Sequence, residues 1–67
     1  MNINEKLFDY VEKNGIKQLF ISQQTDISPN AVSQILRNKR KISAEEFIEI
    51  CDALGIDPNI FKAPKNA

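Results

Sequence analysis

The link between two helical stretches constrains this chain most. Residues 18–25 and the segment opening at Ser28-Pro29 both carry helical patterning, and only Thr25-Asp26-Ile27-Ser28 joins them. Helices joined by so short a link must cross steeply. Ser28 offers an oxygen that can cap the next helix, and Pro29 suits its first position, where a missing N–H costs nothing. Ile27 is expected to plug inward, and Asp26 to take the positive φ that few non-glycine residues tolerate.

The helix that follows is read from Pro29 to Arg37, with Asn38 as its left-handed cap, and has two unlike faces. Val32, Ile35 and Leu36 share one side. Asn30, Ser33, Gln34 and Arg37, at i, i+3, i+4 and i+7, form a continuous polar stripe on another. The stripe holds no acid and runs into Lys39-Arg40-Lys41. Amide and hydroxyl groups ending in cations suit a DNA major groove.

The rest of the chain reads as support. At 67 residues one small domain is expected, needing a disulfide, a metal, a partner or tight helical packing. Cys51 is the sole cysteine and histidine is absent, which excludes an internal disulfide and argues against zinc. Asn2 and Glu5 form a capping-box pair ahead of a helix over 3–13, with Ile3, Leu7, Tyr10 and Val11 on its apolar stripe. Asn14-Gly15 ends it. A second helix spans 18–25, with Lys17 where a capping hydroxyl is expected and Ile21 in the core. Leu19 and Phe20 are expected to join the core or touch the first helix. Ser43-Ala44-Glu45-Glu46 is a second capping box, ahead of the stripe Phe47, Ile50, Cys51 and Leu54. Gly55 closes that helix, and Asp57-Pro58 opens a last turn with Ile60 and Phe61. The domain is assigned to 1–62, with 63–67 a flexible tail.

Formal net charge is zero, yet the charges are segregated. Residues 13–41 carry six cations against Asp26 alone, while residues 1–12 and 42–67 are each acidic. One basic face can hold phosphates without a basic chain. With no histidine, glycine-rich loop or inward carboxylate pair, no catalytic site is expected, and neither are a cofactor nor a metal. No apolar run approaches the ~20 residues of a membrane span, and no signal peptide is read at the start, so a cytoplasmic location is expected.

Residues 15–40, from Gly-Ile-Lys-Gln through Asp-Ile-Ser-Pro-Asn-Ala-Val-Ser-Gln-Ile-Leu to Arg-Asn-Lys-Arg, closely resemble the signature of the phage-repressor/Cro-type (XRE-like) helix-turn-helix family. The matching pattern is Gln18, Ser22, Ile27-Ser28, Val32-Ser33, Ile35 and Asn38-Lys39-Arg40, and it continues over 43–54 and Asp57-Pro58 to Phe61. The resemblance implies an all-α, compact five-helix lambda-repressor-like domain whose second and third helices form the helix-turn-helix. It implies a double-stranded operator DNA partner, a two-fold dimer and transcription regulation, most simply repression.

Residue by residue, it implies base reading by Pro29, Asn30, Ala31, Ser33 and Gln34. Gln18, Arg37, Asn38, Lys39 and Arg40 would meet the DNA backbone. The residues themselves add Lys17, Ser28 and Lys41 to that backbone set, and Ile60 and Phe61 as dimer contacts. No effector-binding domain is expected. Three positions depart from the pattern: Lys17 for a capping hydroxyl, Asp26 for a turn glycine, and Pro29 for a polar base reader. A protein-interaction adaptor or antitoxin on the same fold is the alternative, with Leu19, Phe20, Ile60 and Phe61 as its apolar surface.

Overall fold

Apolar spacing and capping chemistry set the elements, which the computed structural model describes over residues 2–61. They are α1 (Ile3–Lys13), α2 (Gln18–Gln24), α3 (Pro29–Leu36), α4 (Ala44–Leu54) and a terminal 3₁₀ turn (Pro58–Phe61). The five-helix expectation is corrected to four α-helices. The last segment has four residues and closes through Ile60 N–H donating to the Asp57 carbonyl at 3.1 Å, one i→i+3 turn too short for an α-helical ladder. The expected tail, 63–67, lies outside the described residues.

Both capping boxes form. Asn2 Oδ1 accepts from Glu5 N–H at 2.9 Å while Glu5 Oε1 accepts from Asn2 N–H at 3.0 Å. Ser43 and Glu46 repeat this at 3.1 and 3.0 Å. Lys17 supplies α2 with no side-chain cap, as its chemistry requires. At the other end of α3, Asn38 adopts φ 60°, Lys39 N–H donates to Gln34 O at 2.8 Å, and Asn38 N–H to Ile35 O at 3.0 Å. This is a Schellman closure with asparagine in place of glycine.

The turn between α2 and α3 works differently from expectation. Asn38 is the one non-glycine residue with positive φ among the described residues, so Asp26 is not left-handed. Thr25 holds the turn instead: its Oγ1 donates to Ile21 O at 2.8 Å and accepts from Ile27 N–H at 3.2 Å. The bend is closed by a hydroxyl and needs no strained backbone.

Leu7, Val11, Ile21, Ile27, Val32, Ile35, Leu36, Ile50, Cys51 and Phe61 make one continuous core. Each fully buried aliphatic side chain among them contributes about 1.5–3 kcal/mol. Helix α3 packs on both α1 and α2, and α4 packs on α2, so the third helix is braced from two sides. Phe61 closes the base, edge-on to Tyr10 at 5.8 Å and to Phe47 at 5.7 Å.

Two assignments change. Leu19 and Phe20 are 58% and 44% exposed, because the seven-residue α2 turns only Ile21 fully inward. Phe61 is 7% exposed, so it serves the core rather than a dimer surface; Ile60, beside it, is 54% exposed.

Asn4 is the buried polar residue of this core, at 3% exposure. Its Nδ2 donates to Ile35 O at 3.1 Å and to Arg40 O at 2.7 Å, and its Oδ1 accepts from Ile42 N–H at 3.4 Å. One amide thus ties α1 to the end of α3 and to the segment beyond it. Asn4→Ala takes this partner from the Arg40 carbonyl and the Ile42 N–H and one of the donors from the Ile35 carbonyl, and is expected to destabilise the domain by about 1–3 kcal/mol. Urea unfolding followed by circular dichroism measures this, and a midpoint equal to that of the parent chain would refute it.

Candidate nucleic-acid interface

Helix α3 faces solvent with the residues its sequence pattern set apart. Asn30, Gln34 and Arg37 are exposed and Ser33 is half-buried. Among the described residues, the side chains of Asn30, Gln34 and Arg37 make no hydrogen bond, so their donors and acceptors are open to an incoming ligand. Pro29 is exposed at the first helical position. Ala31 is placed differently. It lies on the flank of α3, partly buried against the core, and lines a cleft with Ile27, Ser28 and Ile48. Its methyl group serves packing.

The start of α3 is nearly saturated. Ser28 Oγ accepts from Ala31 N–H at 3.2 Å, Ser28 O accepts from Val32 N–H at 2.9 Å, and Pro29 has no N–H. What remains for a ligand is the Asn30 N–H and the Ser28 hydroxyl proton. Lys17 and Gln18 stand exposed at the start of α2, which packs on α3. Asn38 Oδ1 accepts from Asn2 Nδ2 at 3.2 Å, which leaves the Asn38 amide N–H groups free to donate.

The six cations of residues 13–41 do not behave alike. Lys17, Arg37, Lys39 and Lys41 have no acidic partner among the described residues. Lys13 pairs with Asp9 at 3.2 Å, one turn away on α1, an exposed pair of small energetic weight. Arg40 is engaged far more tightly. Its Nη2 donates to Glu46 Oε2 at 2.6 Å and its Nη1 to Glu46 Oε1 at 3.2 Å. The backbone grip expected of Arg40 therefore meets a carboxylate already seated on the guanidinium.

Three acids of α4, Glu46 included, border one cleft. Glu45, Glu46 and Glu49 join Asp26 around a cleft of about 760 Å³ that none of Asn30, Ser33, Gln34 or Arg37 lines. Ser28 and Ala31 line this same cleft, so the acids border the start of α3 while the polar stripe itself lies outside the cleft. Asn4, Thr25 and the Arg40–Glu46 pair are what sequence reading missed. Asn4 did leave a signal: with Leu7 and Val11 it falls on the i, i+3, i+7 stripe that packs inward.

The hydrogen bonds from Arg40 and then the Ser43 backbone N–H hold the Glu46 carboxyl below its ordinary value. A depressed carboxylate stabilises the fold above its unfolded pKa, and that contribution is lost as pH falls through the folded value. Glu46→Gln is therefore expected to shrink the stability difference between neutral pH and acid below the ordinary carboxylate range. Urea midpoints at pH 7 and pH 3 for both chains check this; an unchanged difference would refute it.

Comparison with known proteins gave one finding with consequences. A helix-turn-helix family model matches residues 7–61, which spans the four helices apart from the first turn of α1 and includes the 3₁₀ turn. Curated proteins and solved structures gave no significant match. With the short Thr25-closed turn between α2 and α3, the exposed polar stripe and the family match in agreement, the chain belongs to the XRE-type helix-turn-helix family of DNA-binding transcription regulators.

Proposed function

We propose that the protein is a sequence-specific repressor of the phage Cro/repressor type that reads the major groove of operator DNA with α3. The observation that carries this is the acid-free stripe Asn30, Ser33, Gln34 and Arg37, whose amide and guanidinium groups have no partner among the described residues. Gln34 and Asn30 can each bridge adenine N6 and N7 bidentately, and Ser33 can donate or accept at a neighbouring base edge. Pro29 adds a shape contact only. Arg37, a full turn further along, reaches a phosphate more readily than a base.

The backbone grip is built from groups on both sides of the stripe. Lys17 and Gln18 approach from α2, and Ser28 with the Asn30 N–H from the start of α3. Asn38, Lys39 and Lys41 approach from its exit. These contacts supply affinity without sequence choice and most of the salt dependence. One domain spans few base pairs, so a homodimer on a palindromic site, with Ile60 as its exposed apolar contact, supplies the second half-site.

A second reading has one specific observation in its favour. Leu19 and Phe20 stand exposed on α2, as an adaptor's protein-binding surface would require. Titration with generic duplex at low salt separates the two, since an adaptor shows no binding there.

Gln34→Ala is expected to reduce discrimination between the preferred and a scrambled duplex by about 1–3 kcal/mol, whereas Lys39→Ala weakens both equally. The preferred duplex comes from selection out of a random pool, and fluorescence anisotropy measures the affinities. Equal losses for both variants on both duplexes would overturn the assignment.

A further inference from the structure

Arg40 sits between two lysines that have no acidic partner among the described residues, yet its own charge is committed to Glu46. We infer that Glu46 withholds Arg40 from DNA and thereby sets the strength of the sequence-independent grip, an inference that rests on the DNA-binding reading above.

Three features of the Arg40–Glu46 corner converge on this. First, both terminal guanidinium nitrogens are occupied by the two oxygens of one carboxylate, at 3.2 and 2.6 Å, and Nη1 also lies 3.4 Å from Lys41 O. A phosphate arriving at Arg40 finds that edge of the guanidinium held by a bidentate acceptor of its own sign and geometry. It meets only the remaining Nε and Nη2 protons of a charge already compensated. Second, Glu46 is not free to swing aside. Its Oε1 also accepts from Ser43 N–H at 3.0 Å, and Ser43 Oγ accepts from Glu46 N–H at 3.1 Å, so the capping box of α4 fixes the carboxylate. Third, Asn4 Nδ2 holds the Arg40 carbonyl at 2.7 Å from a buried position, so the Arg40 backbone is anchored as well. Lys39 and Lys41 are exposed on either side of this clasp.

The consequence is a division within the basic run. Lys39 and Lys41 are the phosphate contacts. Arg40 is a positioning residue that joins the exit of α3 to the start of α4, and Glu46 masks the charge that would add another contact. Affinity in a chain of zero net charge is thus tuned by an internal carboxylate that competes with phosphate.

The test is the slope of log affinity against log salt on a generic duplex, using the full chain. Each phosphate contact adds about 0.9 to that slope, so a fourfold rise in salt costs about 3.5-fold in affinity per contact. Lys39→Gln and Lys41→Gln should each lower the slope by about 0.9, while Arg40→Gln leaves it unchanged. Glu46→Gln should raise it by about 0.9, because the released guanidinium gains a phosphate. Circular dichroism melts confirm that each variant is folded at the assay temperature. A slope lowered by Arg40→Gln as much as by Lys39→Gln would overturn the inference, and so would an unchanged or lowered slope for Glu46→Gln. Failure of the parent chain to bind duplex at any salt would instead overturn the DNA-binding reading itself.

Discussion

The buried amide of Asn4 is the contact on which the rest of this small domain depends. A helix that presents side chains to a ligand has a problem at its C-terminal end, where carbonyl groups lose their intrahelical donors. Here the Gln34 and Ile35 carbonyls accept from the Schellman closure at Asn38, and Ile35 accepts again from Asn4. The same amide then holds the Arg40 carbonyl and the Ile42 N–H. Contacts more than thirty residues apart in sequence fix the direction in which the chain leaves α3. The exposed lysines of that segment inherit their placement from a residue in α1.

Around this anchor the domain separates two tasks. Core packing uses apolar groups from every element, with Phe61 drawing Tyr10 and Phe47 together at the base. The opposite face of α3 carries Asn30, Gln34 and Arg37, which are exposed and whose side chains make no hydrogen bond among the described residues. Zero net charge ceases to be a puzzle once acids and bases are placed. Glu45 and Glu46 compensate the dipole of α4, both border a cleft together with Glu49, and Glu46 also pairs with Arg40. Among the described residues, Lys17, Arg37, Lys39 and Lys41 have no acidic partner.

Much of this was legible beforehand, for physical reasons that differ by element. The caps at Asn2, Ser28 and Ser43 were readable because a capping bond spans only three residues. The polar stripe was readable because helical periodicity maps sequence onto a face. Asp26 misled because a turn residue that tolerates positive φ need not adopt it; the Thr25 hydroxyl closed the bend at lower cost. Leu19, Phe20 and Phe61 misled because burial depends on which elements happen to lie opposite. Hydrophobicity cannot tell a residue turned to a neighbouring helix from one turned to water.

By itself, then, the sequence determined where the four α-helices start, the short link between α2 and α3, and the residues on the outer face of the third helix. All of these follow from interactions within about four residues or from a 3.6-residue period. It overcounted the helices by one and ran α2 and α3 one residue too far. Only the tertiary structure decided that Asn4 braces the exit of α3, that Ala31 packs while Asn30 and Gln34 stay open, and that Arg40 is held by Glu46. Each of these depends on groups from different elements meeting in space, and local spacing carries no record of such meetings.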